Sequence, residues 1–424
     1  MTNPSTFAPA SPQDFPIFSR TVHGKPFVYL DAGATSQLPQ AVLDAVRDFE
    51  TQSRAAVSRS SHQLAGEATL AFDAAREKVA NFVGAGANEL VWTSGSTMSL
   101  NLLAYAFSNA TAGRGGAEAE MFALGAGDTI VVTRAEHHAN LVPWQELCAR
   151  TGATLRWLDL DSEGRIDLDT LSVIDESTRV VAFTHVSNVT GALSPVAEIV
   201  AAAKRVGALT VLDACQSVPH MPVNFSALDV DFAVFSGHKM LAPTGIGALY
   251  GRRELLEKLP PFLTGGSMIE TVTMESSTYT QPPTRFEAGT QPVTQAIGLG
   301  AAVDYLNAIG MDTIAAHERE LTGILLEGIS QIRGVRVLGP LSPENRTGVV
   351  AFELEGVHPH DVGQILDADG VAVRTGHHCA QPIHKFFDVH ASSRVSLAPY
   401  NTRRDVEVFL ESLAKVRPFF GLEG

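Results

Sequence analysis

The chain has 424 residues, 45% hydrophobic and 18% charged, with a formal net charge of −15. Such a composition builds a large core and excludes a disordered chain, and the length exceeds one average domain. The acidic balance argues against nucleic acid or an anionic membrane as the main partner, since both need a basic face.

No apolar run reaches the roughly 18 residues that span a bilayer. The opening stretch MTNPSTFAPASPQDFPIF has no basic segment followed by an apolar one, so no secretory signal is expected. Three cysteines, Cys148, Cys215 and Cys379, are too few and too scattered for a disulfide framework. A reducing cytoplasm is the compartment this implies.

Residues 1–30 are rich in proline and aromatics and read as an extended arm. Helical patterns follow at 41–53 and 64–83, then a short strand at 89–93, the turn SGS and a helix near 98–108. The Gly/Ala-rich run 110–126 lacks apolar periodicity and reads as an exposed insertion. Continuous apolar strands then recur at 129–133, 154–158, 180–186, 209–214 and 230–236, separated by helix-length segments. That pattern predicts a parallel sheet covered on both faces. The run at 246–251 follows too closely for a helical crossover and is expected to pair antiparallel. Helical patterns at 293–309 and 313–332 lead into a unit that alternates GVVAFEL, a helix over 360–369, VAVRT and a helix from Arg403. The fold class is therefore α/β, with an arm over 1–30, a large domain over 31–300 and a smaller α+β domain over 301–424.

In open sheets of this kind ligands bind beyond the carboxyl ends of the strands. Asp213 ends one strand and SGHK, residues 236–239, follows another. Pyridoxal phosphate (PLP) requires such a pair, a lysine for the Schiff base and a carboxylate that keeps the pyridine nitrogen protonated. On spacing alone, Lys239 as a solvated loop residue is an equal reading. SGSTMS (94–99), between strand and helix, offers backbone N–H groups and the hydroxyls of Ser96 and Thr97 to a phosphate. A simple N-cap explains the same loop.

Cys379 lies in RTGHHCAQP. The adjacent histidines suit either a zinc site or an activated thiol, but His384 and His390 complete no familiar zinc spacing, and no metal is expected. Cys148 and Cys215 read as buried core residues. Arg394 is a candidate clamp for a substrate carboxylate, with a surface ion pair as the alternative. His137 and His138 follow a strand, where one could stack on a ring or both could be exposed. Asn188 also sits just past a strand end, where a turn asparagine is unremarkable.

Together these stretches closely resemble the group II, SUF-type cysteine desulfurases and selenocysteine lyases, of the class V aminotransferase branch of fold-type I PLP enzymes. The likeness starts at VYLDAGATSQLP and runs through AEHHANLVPWQ, THVSNVTG, DFAVFSGHKMLAPTGIGALYG, GGSMI and RFEAGT to VAVRTGHHCAQP and RVSLAPYNT. It implies a large domain with a mostly parallel seven-stranded sheet. It implies Lys239 as the Schiff-base lysine, Asp213 on the pyridine nitrogen, Gln216 on the ring hydroxyl and His137 stacked on the ring. Ser96, Thr97, Ser236 and His238 would hold the phosphate, with Thr290 reaching across from a partner subunit of a homodimer. Ala34, Asn188 and Arg394 would meet the substrate, L-cysteine or alternatively L-selenocysteine. Cys379 would accept the sulfur and pass it to a SUF acceptor protein for iron–sulfur assembly.

The chain departs from the family pattern at Ser58, where a histidine is usual and only Arg59 and His62 of that motif remain. It departs also at Met98 for Glu, Cys215 for Ala and Gln291 for Pro, and in the length of the 110–126 insertion. Two other classes compete: a different PLP enzyme on this scaffold, which would need no thiol at 379, and a non-catalytic scaffold protein, which would need neither Lys239 nor Asp213.

Overall fold

A computed structural model describes residues 7–58 and 60–422, so Arg59 and the first six residues of the predicted arm lie outside it. Seven strands form the large sheet: β1 (Leu90–Thr93), β2 (Thr129–Thr133), β3 (Thr154–Leu158), β4 (Thr178–Thr184), β5 (Leu209–Asp213), β6 (Phe232–Ser236) and β7 (Gly247–Gly251). Their order is β3-β2-β4-β5-β6-β7-β1. The first five in that order run parallel, and β7 pairs antiparallel with both β6 and β1. All five residues of β2 are buried, as expected for a strand with helices on both faces. Its side chains alternate between two cores, with Val131 on one face and Ile130 and Val132 on the other.

A second sheet of four strands is antiparallel, in the order β8 (Val335–Leu338), β9 (Val349–Leu354), β11 (Ser392–Ser396) and β10 (Arg374–Gly376). Helices Met311–Ser330, Pro359–Ala368 and Arg403–Leu413 cover it and enclose a third core around Leu325, Phe352 and Phe409. The helix Val293–Ile309 runs through the predicted boundary at residue 300, and its Val303 and Leu306 belong to the large unit's core. The described part of the arm is tied down at two places. Phe15 packs on Tyr400 with ring centroids 4.9 Å apart, and Val28–Tyr29 pairs parallel with Val371–Ala372.

One sequence expectation is corrected. The 110–126 segment is not wholly exposed: Ala119, Phe122 and Leu124 are buried, and Phe122 stacks on Phe107 at 5.3 Å. Ala119 and Phe122 lie on one short 3-10 helix, Ala117–Phe122, too brief to give a periodic signal, and with Leu124 they pack into the core. No helix among the described residues is long and apolar enough to cross a membrane.

Candidate active site

The carboxyl ends of the parallel strands share one edge of the large sheet, and the small domain's β10 and β11 close over it. A cavity of about 320 Å³ lies between them. Of the residues singled out from sequence, Ala34, Ser96, Thr97, His137, Asn188, Ser236, His238, Lys239 and Arg394 line it. Asp213, Gln216, Cys379 and Thr290 are not among its lining residues.

At one end the 16-residue helix Ser96–Thr111 points its N-terminus into the cavity wall. The Ser96 N–H donates to Ser236 Oγ at 2.9 Å, and Ser236 Oγ donates to Ser96 Oγ at 3.0 Å. The preceding turn is drawn against β7: a Cβ on Gly247 would stand 2.6 Å from the Gly95 Cα, so only glycine permits that approach. First-turn N–H groups and the helix dipole make this end a receptor for an anion.

Asp213 is 5% exposed at the end of β5, and its Oδ1 accepts the Cys215 N–H at 3.0 Å. Cys215 is fully buried with its Sγ 3.8 Å from Ser236 Oγ, and burial, then Asp213, pushes its thiol up to about 12. Gln216 donates from Nε2 to the Gly33 carbonyl at 2.9 Å, while its buried Oε1 has no hydrogen-bond partner among the described residues. The His137 Nδ1 accepts the Ala139 N–H at 3.0 Å, so a neutral ring carries its proton on Nε2. Burial, then Lys239, pushes the His137 pKa down to about 3.

At the opposite end Arg394, 1% exposed, donates from Nη1 to the Asn188 carbonyl at 3.0 Å and from Nη2 to Asp31 Oδ1 at 3.3 Å. Its Nε has no partner among the described residues. Burial pulls Arg394 down to about 10 and raises Asp31, so desolvation outweighs their mutual attraction on both sides. Asp31 pairs with one end of the guanidinium, and the unpartnered Nε leaves a place for a second acceptor such as a carboxylate.

Cys379 sits half-buried on the loop after β10, its Sγ 3.6 Å from Arg374 Nη2. His378 and Cys379 both adopt left-handed backbone, φ 51° and 56°. Asn188 Nδ2 donates to the His378 carbonyl and the His138 N–H to the Cys379 carbonyl, each at 2.6 Å. Strain of this kind persists only where surrounding bonds impose it.

Arg374 and His378 also line the cavity; Arg374 was not singled out from sequence, and His378 was weighed there only as one of two adjacent histidines beside Cys379. Both lie inside the quoted RTGHHC stretch, and the signal was an arginine at the end of a strand. Thr290 is exposed and lines a neighbouring cavity of about 210 Å³ with Ser94 and Met98. Met98 reaches both cavities, and its Sδ accepts from Ser94 Oγ at 3.2 Å. Among the described residues no group of three or more His, Cys, Asp or Glu is arranged to hold a metal ion.

Residues 28–409 match the aminotransferase class-V family model. The chain belongs to the class-V aminotransferase family. A probable cysteine desulfurase of Mycobacterium leprae is 57% identical over 97% of this chain and 96% of its own length. A cysteine desulfurase of Escherichia coli is 44% identical over 96% and 98% of the two chains. Among solved structures, the apo cysteine desulfurase of Thermococcus onnurineus superposes with a TM-score of 0.88 at 38% identity, over 95% of this chain and 96% of that one. Another E. coli cysteine desulfurase gives 0.86 at 35% identity, over 99% of each.

Proposed function

We propose that this chain is a PLP-dependent cysteine desulfurase that converts L-cysteine to L-alanine and takes the sulfur onto Cys379. The observation that carries the reading is the Cys379 thiol beside Arg374, at the rim of a cavity that also holds Lys239.

The residues fit the cofactor. Lys239 offers an amine in the cavity, the helix N-terminus with Ser96, Thr97, Ser236 and His238 offers a phosphate seat, and the free Gln216 Oε1 can accept from a ring hydroxyl. When bound, PLP supplies an electron sink at the substrate Cα. The buried Asp213 carboxylate would hold the proton on the pyridine nitrogen, and the neutral His137 ring would stack on the cofactor. Asn188 and Arg394 orient the substrate carboxylate, with Ala34 in the facing wall. The Lys239 amine would take the Cα proton.

The Arg374 guanidinium lies 3.6 Å from the Cys379 sulfur and orients it. Attacking as its anion, that sulfur forms an S–S bond to the substrate sulfur, the Cβ–S bond breaks, and its electron pair stays on carbon, which takes up a proton to give alanine. The sulfur remains as a Cys379 persulfide, exposed enough at the rim for a SUF-type acceptor to collect. The exposed Thr290 in a separate cavity supports a homodimer in which it serves the neighbouring site. A fully active monomer in sedimentation would refute that arrangement. Three free cysteines support a cytoplasmic, reducing setting.

The test is alanine and sulfide release from L-cysteine with a thiol reductant, for wild type and Cys379→Ala. Wild type is expected to turn over, and the variant to bind PLP yet release no sulfide. Sulfide from the variant would remove Cys379 as the nucleophile.

A further inference from the structure

The turn that carries Cys379 has a backbone its own sequence does not favour. The Ala380 N–H donates to the His377 carbonyl at 2.9 Å and closes a four-residue turn. Its two central residues, His378 and Cys379, both lie in the left-handed region, at φ 51° and 56°. Glycine, asparagine and aspartate ordinarily fill such positions, because a larger side chain is costly there. HHCA contains none of them, so bonds from outside the turn must hold it.

Three such bonds come from the large domain. Asn188 Nδ2 donates to the His378 carbonyl, and the His138 N–H donates to the Cys379 carbonyl. The third runs through an ionisable side chain: His138 Nε2 accepts the Gln381 N–H at 3.1 Å. Gln381 opens the helix Gln381–Phe386, and a first-turn N–H has no partner within its own helix. The preceding Ala380 supplies no side-chain cap. His138 takes that capping role from the other domain, and needs a lone pair on Nε2 to do so. Burial keeps the half-buried ring below its ordinary pKa, in the neutral form that has one. The large-domain side of the contact is itself anchored. Glu136, two residues before His138, is buried and gathers Thr133 Oγ1 and Asn140 Nδ2, each at 2.6 Å, and the Thr184 N–H at 2.9 Å.

We propose that His138 is a positioning residue for the sulfur transfer. Its N–H on the Cys379 carbonyl and its ring on the Gln381 N–H clamp the turn across the domain boundary and hold Cys379 in its left-handed conformation. The inference rests on the desulfurase reading for what the clamp serves, and goes beyond it in giving the second histidine of AEHHAN a task. The Cys379 sulfur has to meet the substrate sulfur at bonding distance, and a displacement of about 1 Å can cost on the order of a hundredfold in rate. A turn that would relax if released needs such a clamp.

Two substitutions break the ring's bond from its two sides. His138→Leu removes the acceptor. Gln381→Pro removes the donor and leaves His138 in place, and proline is well tolerated at the first position of a helix. His138→Gln restores an acceptor at a similar reach. Three readouts are taken on the holoenzyme: the rate of the first turnover of alanine, the L-cysteine concentration that half-saturates the change in cofactor absorbance, and the rate of Cys379 alkylation by iodoacetamide. Alkylation is followed peptide by peptide, with the buried Cys148 and Cys215 as internal references. In His138→Leu and in Gln381→Pro the first turnover is expected to slow about tenfold, the order of one lost hydrogen bond. Alkylation is expected to quicken as the turn loosens, and half-saturation to stay as in wild type. The double variant is expected to be no slower than either single one, because both remove the same bond. His138→Gln is expected to recover most of the loss. A first turnover as fast as wild type in both single variants overturns the proposal, as does unchanged alkylation. So does a His138→Gln variant as slow as His138→Leu, or a double variant whose losses add. Where His138→Leu fails to fold, Gln381→Pro decides by the same readouts. The desulfurase reading fails separately, if wild type releases no alanine from L-cysteine, and the alkylation rates would then still test the clamp.

Discussion

At the scale of single residues, chemistry here comes from burial as much as from identity. Asp213, Gln216 and Arg394 are ordinary polar side chains whose surroundings leave each with an atom or a charge to offer. Asp213 has one carboxylate oxygen committed to the Cys215 N–H, so its charge is available to the site. Replacing Asp213 by Ala removes an electrostatic partner of the electron sink, and kcat with L-cysteine is expected to fall by about 10²–10³. Cofactor affinity, held mainly by Lys239 and the phosphate seat, is expected to change far less. Absorbance titration with PLP beside steady-state rates checks this; a loss confined to affinity would contradict it. Most of these positions were legible in the sequence because each follows a recognisable strand. Arg374 was not, and the place of His378 in the cavity wall was not, because both depend on how the small domain's strands dock over the large sheet. Local spacing carries no record of that docking.

At the scale of elements, the sequence was most informative where burial is two-sided. The strands over 129–133 and 232–236 are buried along their whole length, and β2 matches its expected bounds residue for residue, as does β3, although it is a largely exposed edge strand. The hairpin Ile269–Val272 with Ser277–Tyr279 gave no signal, because its strands are short and largely exposed. The insertion was misjudged for the related reason that Phe122 and Ala119 bury themselves from a single short 3-10 turn. The contact between β7 and the turn at Gly95 is an element-scale feature with a functional consequence. A Cβ at Gly247 would meet the Phe235 carbonyl at 2.5 Å and the Gly95 Cα at 2.6 Å, both backbone atoms that cannot step aside cheaply. Gly247→Ala should therefore push the 94–95 turn off β7 and tilt the phosphate seat. Overpacking of this kind costs about 1–3 kcal/mol, so PLP affinity of the apoprotein should fall at least several-fold. Unchanged affinity in a fluorescence titration would show that the turn relaxes without moving the helix N-terminus.

At the scale of the whole molecule, building a polar cavity between two apolar units buries histidines that would charge freely in the unfolded chain. Burial pushes His137 to about 3, His185 to about 4 and His378 to about 2. Each folded value lies below the unfolded value of about 6.5, so below that pH the unfolded chain binds more protons. The stability held by these neutral rings is complete above pH 6.5 and is lost as pH falls toward the folded values. Glu136 acts in the opposite sense. Burial pushes its carboxyl up to about 8, although Thr133, Asn140 and the Thr184 N–H all donate to it. Its contribution is complete below about 4.5 and is lost as pH rises toward 8. Between pH 6.5 and 4.5 these three histidines thus oppose Glu136, and this set contributes an uptake of about two protons on unfolding. At ~1.4 kcal/mol per proton per pH unit, the cofactor-free protein should lose up to about 3 kcal/mol per pH unit near pH 5. Urea midpoints measured at pH 7, 6 and 5 check the slope, and His185→Gln should reduce it by about one proton. A midpoint that stays flat or rises on acidification would mean that the cavity opens to water before the chain unfolds, and that these rings protonate in the folded state.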